Sequence, residues 1–82
     1  MLTVEYSDDL LRTIRKIKDV TVKEKIKKQI AKIIKHPEIG KPMRYTRKDT
    51  RKVYIGSFRL AYLYSKDKKK IILLDLYHKN EQ

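Results

Sequence analysis

Apolar positions along the chain change their period once, and the change divides it into a helical and an extended part. Leu2–Tyr6 is short, apolar and partly β-branched, which predicts a strand. It stops at Ser7, whose hydroxyl suits the free backbone N–H groups of a helix start. From Asp8 the apolar residues Leu10, Leu11, Ile14 and Ile17 fall at helical spacing, with Asp8 and Asp9 at the positive end of the dipole, so a first helix is expected over Asp8–Lys18. Thr21 and Glu24 have the spacing of a capping box, and Ile26, Ile30, Ile33 and Ile34 continue a helical stripe to Pro37. A second helix is therefore expected over about Val22–Lys35, and the short junction at Asp19–Thr21 makes the two an αα-hairpin.

Pro37-Glu-Ile-Gly-Lys-Pro42 marks the switch to period two. Beyond it the pattern predicts a short strand at Met43–Tyr45, a polar turn at Arg47–Asp49, and strands at Arg51–Ile55, Phe58–Tyr64 and Ile71–Tyr77. Gly56-Ser57 reads as a two-residue hairpin turn. Such a turn pairs Ile55 with Phe58, Tyr54 with Arg59, Val53 with Leu60 and Lys52 with Ala61. Val53, Ile55, Phe58 and Leu60 then face the helices, while Lys52, Tyr54 and Arg59 share the open face. The expected order is β-α-α-β-β-β-β, an α+β domain with a mainly antiparallel sheet and the helical hairpin on one face.

Size and charge narrow the function. A chain of 82 residues hides only about 60–65% of its extended surface on folding, so a single domain over 1–82 is expected and a large multi-substrate enzyme is excluded. With no cysteine, disulfide frameworks, thiol nucleophiles and cysteine-based zinc sites are excluded. No signal peptide and no apolar run of membrane-spanning length is present, so the expected location is the cytoplasm with no membrane partner. The 22 basic and 10 acidic residues leave a net charge of +12, which favours a polyanionic partner. Residues 1–40 hold 10 basic and 6 acidic groups, residues 41–82 hold 12 and 4, so the sheet half carries most of the excess.

Recognisable hydrolase machinery is missing: there is no Gly-rich phosphate loop, no G-x-S-x-G, and no histidine pair at metal-ligand spacing. No cofactor and no metal are expected. What remains is Lys52, Tyr54, Arg59 and the pair His78-Lys79. Arg59 stands among apolar neighbours, where a guanidinium must reach water, a carboxylate such as Asp75, or an anion. An open face of cations with a tyrosine suits a nucleic-acid backbone, the ring serving as a stacking platform.

The run Lys52-Val-Tyr-Ile-Gly-Ser-Phe-Arg-Leu-Ala-Tyr62, then a charged turn, an apolar strand and Leu76-Tyr77-His78-Lys79, resembles the C-terminal half of RelE/ParE-superfamily toxins. The strand-helix-helix-strands order extends the resemblance over essentially the whole chain. It implies a toxin of a type II toxin–antitoxin pair. In the RelE branch such toxins cleave mRNA in the ribosomal A site, and in the ParE branch they poison DNA gyrase; a non-catalytic basic RNA- or DNA-binding domain is a third reading. The resemblance implies catalytic roles for Lys52, Arg59, His78 and Lys79. It implies RNA contacts for Arg44, Arg51, Tyr54 and Tyr77, and a RelB-like antitoxin, the ribosome and mRNA as partners in a toxin–antitoxin hetero-oligomer. Cleavage by the ribose 2′-OH needs a base, positive charge at the phosphate and an acid. Lys52, near Arg51 and Arg59, is the candidate base, Arg59 the phosphate clamp, Lys79 its assistant and His78 the candidate acid. Lys79 stands where the family usually has arginine, and no tyrosine follows Tyr77, so Tyr54, Tyr77 or His78 would replace the family's C-terminal stacking tyrosine.

Overall fold

A computed structural model describes residues 2–43 and 49–81. β1 (Thr3–Tyr6) leads into α1 (Asp8–Lys16) and α2 (Val20–Lys35), followed by β2 (Lys41–Pro42), β3 (Thr50–Ile55), β4 (Phe58–Ser65), β5 (Lys70–His78) and a 3₁₀ turn at Lys79–Glu81. The five strands form one sheet in the order β1-β5-β4-β3-β2. β2 to β5 are antiparallel neighbours, whereas β1 crosses back by way of both helices to lie parallel to β5. The helices cover one sheet face, α1 over β5 and α2 over β3.

Local chemistry sets the boundaries. α1 ends at Lys16, two residues before the expected Lys18, because Ile17 turns extended and packs against the core. α2 starts at Val20, and its cap is Asp19 instead of a box built on Thr21 and Glu24. The Asp19 carboxylate accepts from the backbone N–H groups of Thr21 at 2.9 Å and Val22 at 3.4 Å. Its negative charge also favours the positive end of the helix, an advantage Thr21 lacks. The first strand after the helices lies at Lys41–Pro42, ahead of the expected Met43–Tyr45, whose last two residues fall outside the described ones, as does most of the expected turn at Arg47–Asp49.

The Gly56-Ser57 hairpin has the expected register, Ile55 opposite Phe58 through Lys52 opposite Ala61. Gly56 occupies φ +58°, the left-handed region that such a turn requires. β5 departs from simple alternation. Ala61 faces Asp75 but Tyr62 faces Leu73, so Leu74 is an extra, bulged residue. Strict alternation would send Leu73 and Leu76 to opposite faces; the bulge turns both inward, where both are buried. Ser7 stitches this bulge to α1: its Oγ donates to the Leu74 carbonyl at 2.5 Å and accepts from the Leu10 N–H at 3.0 Å.

The core joins Leu10, Ile26 and Ile33 of the helices to Val53, Ile55, Leu60, Tyr62, Ile71, Leu73 and Leu76 of the sheet. Tyr62 is fully buried, yet its hydroxyl is satisfied, donating to the Pro37 carbonyl at 2.8 Å and accepting from the Gly40 N–H at 2.9 Å. Only glycine fits at position 40, because a Cβ there would lie 2.7 Å from the Tyr62 hydroxyl and 2.9 Å from the Lys52 carbonyl oxygen. This clamp ties the segment after α2 to the sheet and so fixes where Lys41 enters β2. Tyr62→Phe leaves two backbone groups without their partner and is expected to cost about 1–3 kcal/mol in urea denaturation. Burial raises the Tyr62 phenol above 10.0, opposed by the Gly40 hydrogen bond and by Arg51. A raised folded-state value means its stabilisation is complete below about pH 10 and is lost as pH climbs through the folded value. The stability gap between wild type and Tyr62→Phe should therefore shrink above pH 10.

Candidate nucleic-acid interface

The face away from the helices is built in rows, because residues directly opposite each other in a sheet project to the same side. One row runs Tyr54, Arg59, Tyr77 across β3, β4 and β5, and the next runs Lys41, Lys52, Ala61, Asp75 from β2 to β5. Tyr54 is the exposed centre. The Arg59 guanidinium lies 4.1 Å from its ring centroid, the Lys41 ammonium 5.3 Å and the Lys52 ammonium 5.9 Å. Three cations thus share one aromatic platform.

Arg59 is held at one edge only. Its Nη1 donates to the carbonyls of Gly56 at 3.1 Å and Phe58 at 3.0 Å, leaving Nε and Nη2 without a partner among the described residues. It makes no ion pair with Asp75, because its register partner on β5 is Tyr77 and Asp75 lies opposite Ala61. The two ion pairs described join Arg12 to Asp9 on α1 and Lys70 to Glu5 across the β1–β5 pair, and neither involves a cation of these two rows. Tyr77 is half-buried beside Arg59. Burial raises its phenol above the usual 10.0, Arg59 pulls it back, and Asp75 and Tyr54 push it up again. The hydroxyl therefore keeps its proton at neutral pH and serves as a donor.

The structure brings together Lys52, Tyr54, Arg59 and Tyr77 from the sequence-based set. It does not bring all of it. His78 lies one residue beyond Tyr77 and so projects to the reverse face, where its ring meets Phe58 edge-on at 5.7 Å and its Nδ1 accepts from the Asn80 N–H at 3.3 Å. Arg51, expected to crowd Lys52, also belongs to the reverse face: its Nη1 donates to the carbonyls of Gly40 at 2.8 Å and Glu38 at 3.1 Å. Both follow from period two, since neighbours of an outward residue point inward. Lys79 is exposed in the 3₁₀ turn at the hairpin end of the sheet, its N–H bonded to the Ser57 carbonyl at 2.8 Å. Arg44 lies outside the described residues. Lys41 is the addition: no spacing marks it, since its place depends on β2 pairing with β3, where its partner Lys52 is eleven residues away in sequence.

Among the described residues no cluster of three or more histidines or carboxylates is arranged to hold a metal ion, and no helix is long and apolar enough to cross a membrane.

A helical hairpin on one side of a five-stranded sheet and a cationic, tyrosine-bearing face on the other make up a fold that the RelE toxins share. Residues 2–82 match the family of the ParE toxin of type II toxin–antitoxin systems, parDE, and the chain belongs to that family, within the RelE/ParE superfamily. No curated protein matches it significantly. The toxin in the intact E. coli RelBE toxin–antitoxin complex superposes with a TM-score of 0.80 at 23% identity, over 95% of this chain and 96% of that one. The YoeB/ParE toxin from Agrobacterium tumefaciens gives 0.80 at 14% identity, over 94% and 98%. The archaeal RelE-RelB complex from Pyrococcus horikoshii gives 0.75 at 13% identity, over 99% and 98%. These structures share the fold with this chain.

Proposed function

We propose that this toxin stops translation by cutting mRNA in the ribosomal A site. The observation that supports the reading is the convergence of Lys52, Tyr54, Arg59 and Tyr77 on one open sheet face. The ribose 2′-oxygen attacks the adjacent phosphorus, the bond to the 5′-oxygen breaks, and a 2′,3′-cyclic phosphate and a free 5′-OH result. The nucleophile belongs to the substrate, so no water has to be activated. Lys52 is the candidate acceptor of the 2′ proton. Arg59 offers Nε and Nη2 to two phosphate oxygens and stays charged throughout, stabilising the negative charge that builds in the transition state. The Tyr77 phenol is far more acidic than the departing alkoxide and hands it a proton, the role first expected of His78. Tyr54 stacks on a base. Lys79 adds positive charge at the same end of the sheet.

The basic surface also suits an acidic protein partner. The relatives from E. coli and P. horikoshii are seen in complexes with RelB antitoxins. A RelB-like antitoxin, acidic or amphipathic, covers this toxin in a hetero-oligomer. The match to the ParE family favours a second reading, inhibition of DNA gyrase by protein contact, which has no use for the convergent cations.

Toeprinting in a purified translation system, run beside a gyrase supercoiling assay, separates the two. Expected is A-site cleavage with supercoiling untouched; intact mRNA with blocked supercoiling overturns the nuclease reading. Within the same assay, Lys52→Arg keeps a long basic side chain on the row but removes the proton acceptor, because a guanidinium stays protonated. It should lower the cleavage rate about a hundredfold.

A further inference from the structure

Beside the Tyr54 platform, between α2 and the β2–β3 edge, lies a cavity of about 270 Å³ lined by Gln29, Lys32, Ile39, Lys41, Lys52, Val53 and Tyr54. We propose that it is a nucleoside subsite that seats the residue of the RNA next to the cut phosphate, with Lys41 and Lys32 on the flanking phosphate. The inference rests on the nuclease reading for its biological setting and on the cavity itself for its chemistry.

Three observations carry it. Lys41 and Lys52 are direct register partners on adjacent strands, so two ammoniums project side by side, an arrangement that disfavours the unliganded sheet. No carboxylate lies within ion-pair distance of either among the described residues, and an anion between them removes the repulsion. The floor is of opposite character: Ile39 and Tyr54, 48% and 46% exposed, line the same depression with apolar surface. A ligand that satisfies both must present a flat apolar face and an anionic edge. At about 270 Å³ the depression has room for one nucleoside. Gln29 supplies the polar contact. Its Nε2 is committed to the Tyr54 carbonyl at 2.8 Å, which fixes the amide and leaves Oε1 to accept from a base.

The subsite shares Lys52 and Tyr54 with the proposed catalytic face, and Arg59 lies 4.1 Å from the same Tyr54 ring, so the phosphate on Arg59 and the base in the depression are neighbours. It would make the toxin sensitive to the identity of a base flanking the cut, through Gln29 Oε1 and the Ile39 wall.

The test is a titration of the full chain with a trinucleotide carrying 2′-O-methyl groups, which binds without being cut, followed by methyl and side-chain amide NMR. Expected are shifts at Ile39 and the Gln29 amide. Lys41→Ala should weaken binding about five- to tenfold and lower the slope of log affinity against log salt by about 0.7, the loss of one single-strand phosphate contact. Shifts confined to Tyr54 and Arg59, or no binding at all, overturn the subsite. An acidic peptide that moves Ile39 and Gln29 while the trinucleotide does not assigns the cavity to a protein partner and equally overturns it. Toeprinting scores the nuclease reading independently, so the two fail separately.

Discussion

Arg59→Ala is expected to lower A-site mRNA cleavage by about two to three orders of magnitude, the loss seen when one preorganised donor to a developing oxyanion is removed. The effect should fall on the cleavage rate more than on ribosome binding, because the charge Arg59 meets is largest in the transition state. Arg59→Lys restores the charge without the fork, and should recover little. Arg59 is oriented by stacking 4.1 Å over Tyr54 and by carbonyls of the hairpin turn, contacts that suit a planar guanidinium and not a point charge. Single-turnover cleavage on programmed ribosomes reads both variants. Full activity in Arg59→Ala, with the fold intact by circular dichroism, would sink the mechanism. The hairpin remains closed without Arg59, since its register rests on backbone pairing and on Ile55 and Phe58.

Leu73→Ala should be the most damaging single truncation for stability. Leu73 is fully buried on β5, flanked by Tyr6 of β1 and Tyr62 of β4, and its carbonyl accepts from the Ser7 N–H at 3.0 Å. Removing its side chain under rigid neighbours costs about 3–5 kcal/mol. A chain of 82 residues has only about 4–12 kcal/mol in total, so this variant should lose a large share of its stability and melt more than about 10 °C below the wild type. Leu74→Ala is the control, because the bulge leaves that residue half-buried and outside the core, and its loss should stay near 1 kcal/mol. Urea denaturation of the pair measures the difference. Equal losses would show that the bulge does not decide which leucine is structural.

The bulge also marks a limit of reading the chain by period. The apolar run Ile71–Tyr77 announced an interior strand, but a continuous run does not say which residues face which way. That depended on Leu74 being left over when β4 and β5 pair, and on the Ser7 hydroxyl being in place to bind its carbonyl. The hairpin was different. A two-residue turn fixes the register of every pair that follows, so the Lys52, Tyr54 and Arg59 face was legible from Gly56-Ser57 alone. The same rule of alternation, applied one residue to either side, removes Arg51 and His78 from the site. Arg51 serves the Glu38 and Gly40 carbonyls, and His78 meets Phe58.

The sequence by itself determined the element order, the hairpin register, the burial of Val53, Ile55 and Leu60, and a cationic strand face. These follow from local periodicity, a turn and a charge count, which need no knowledge of distant neighbours. Only the tertiary structure decided the parallel return of β1 to β5, the place of Tyr77 beside Arg59, and the arrival of Lys41 at the Tyr54 ring. Each of these joins segments far apart in the chain, and the Tyr62 hydroxyl holding Gly40 against the sheet is what brings Lys41 there. The local pattern says which way a side chain points, and long-range packing selects what it meets.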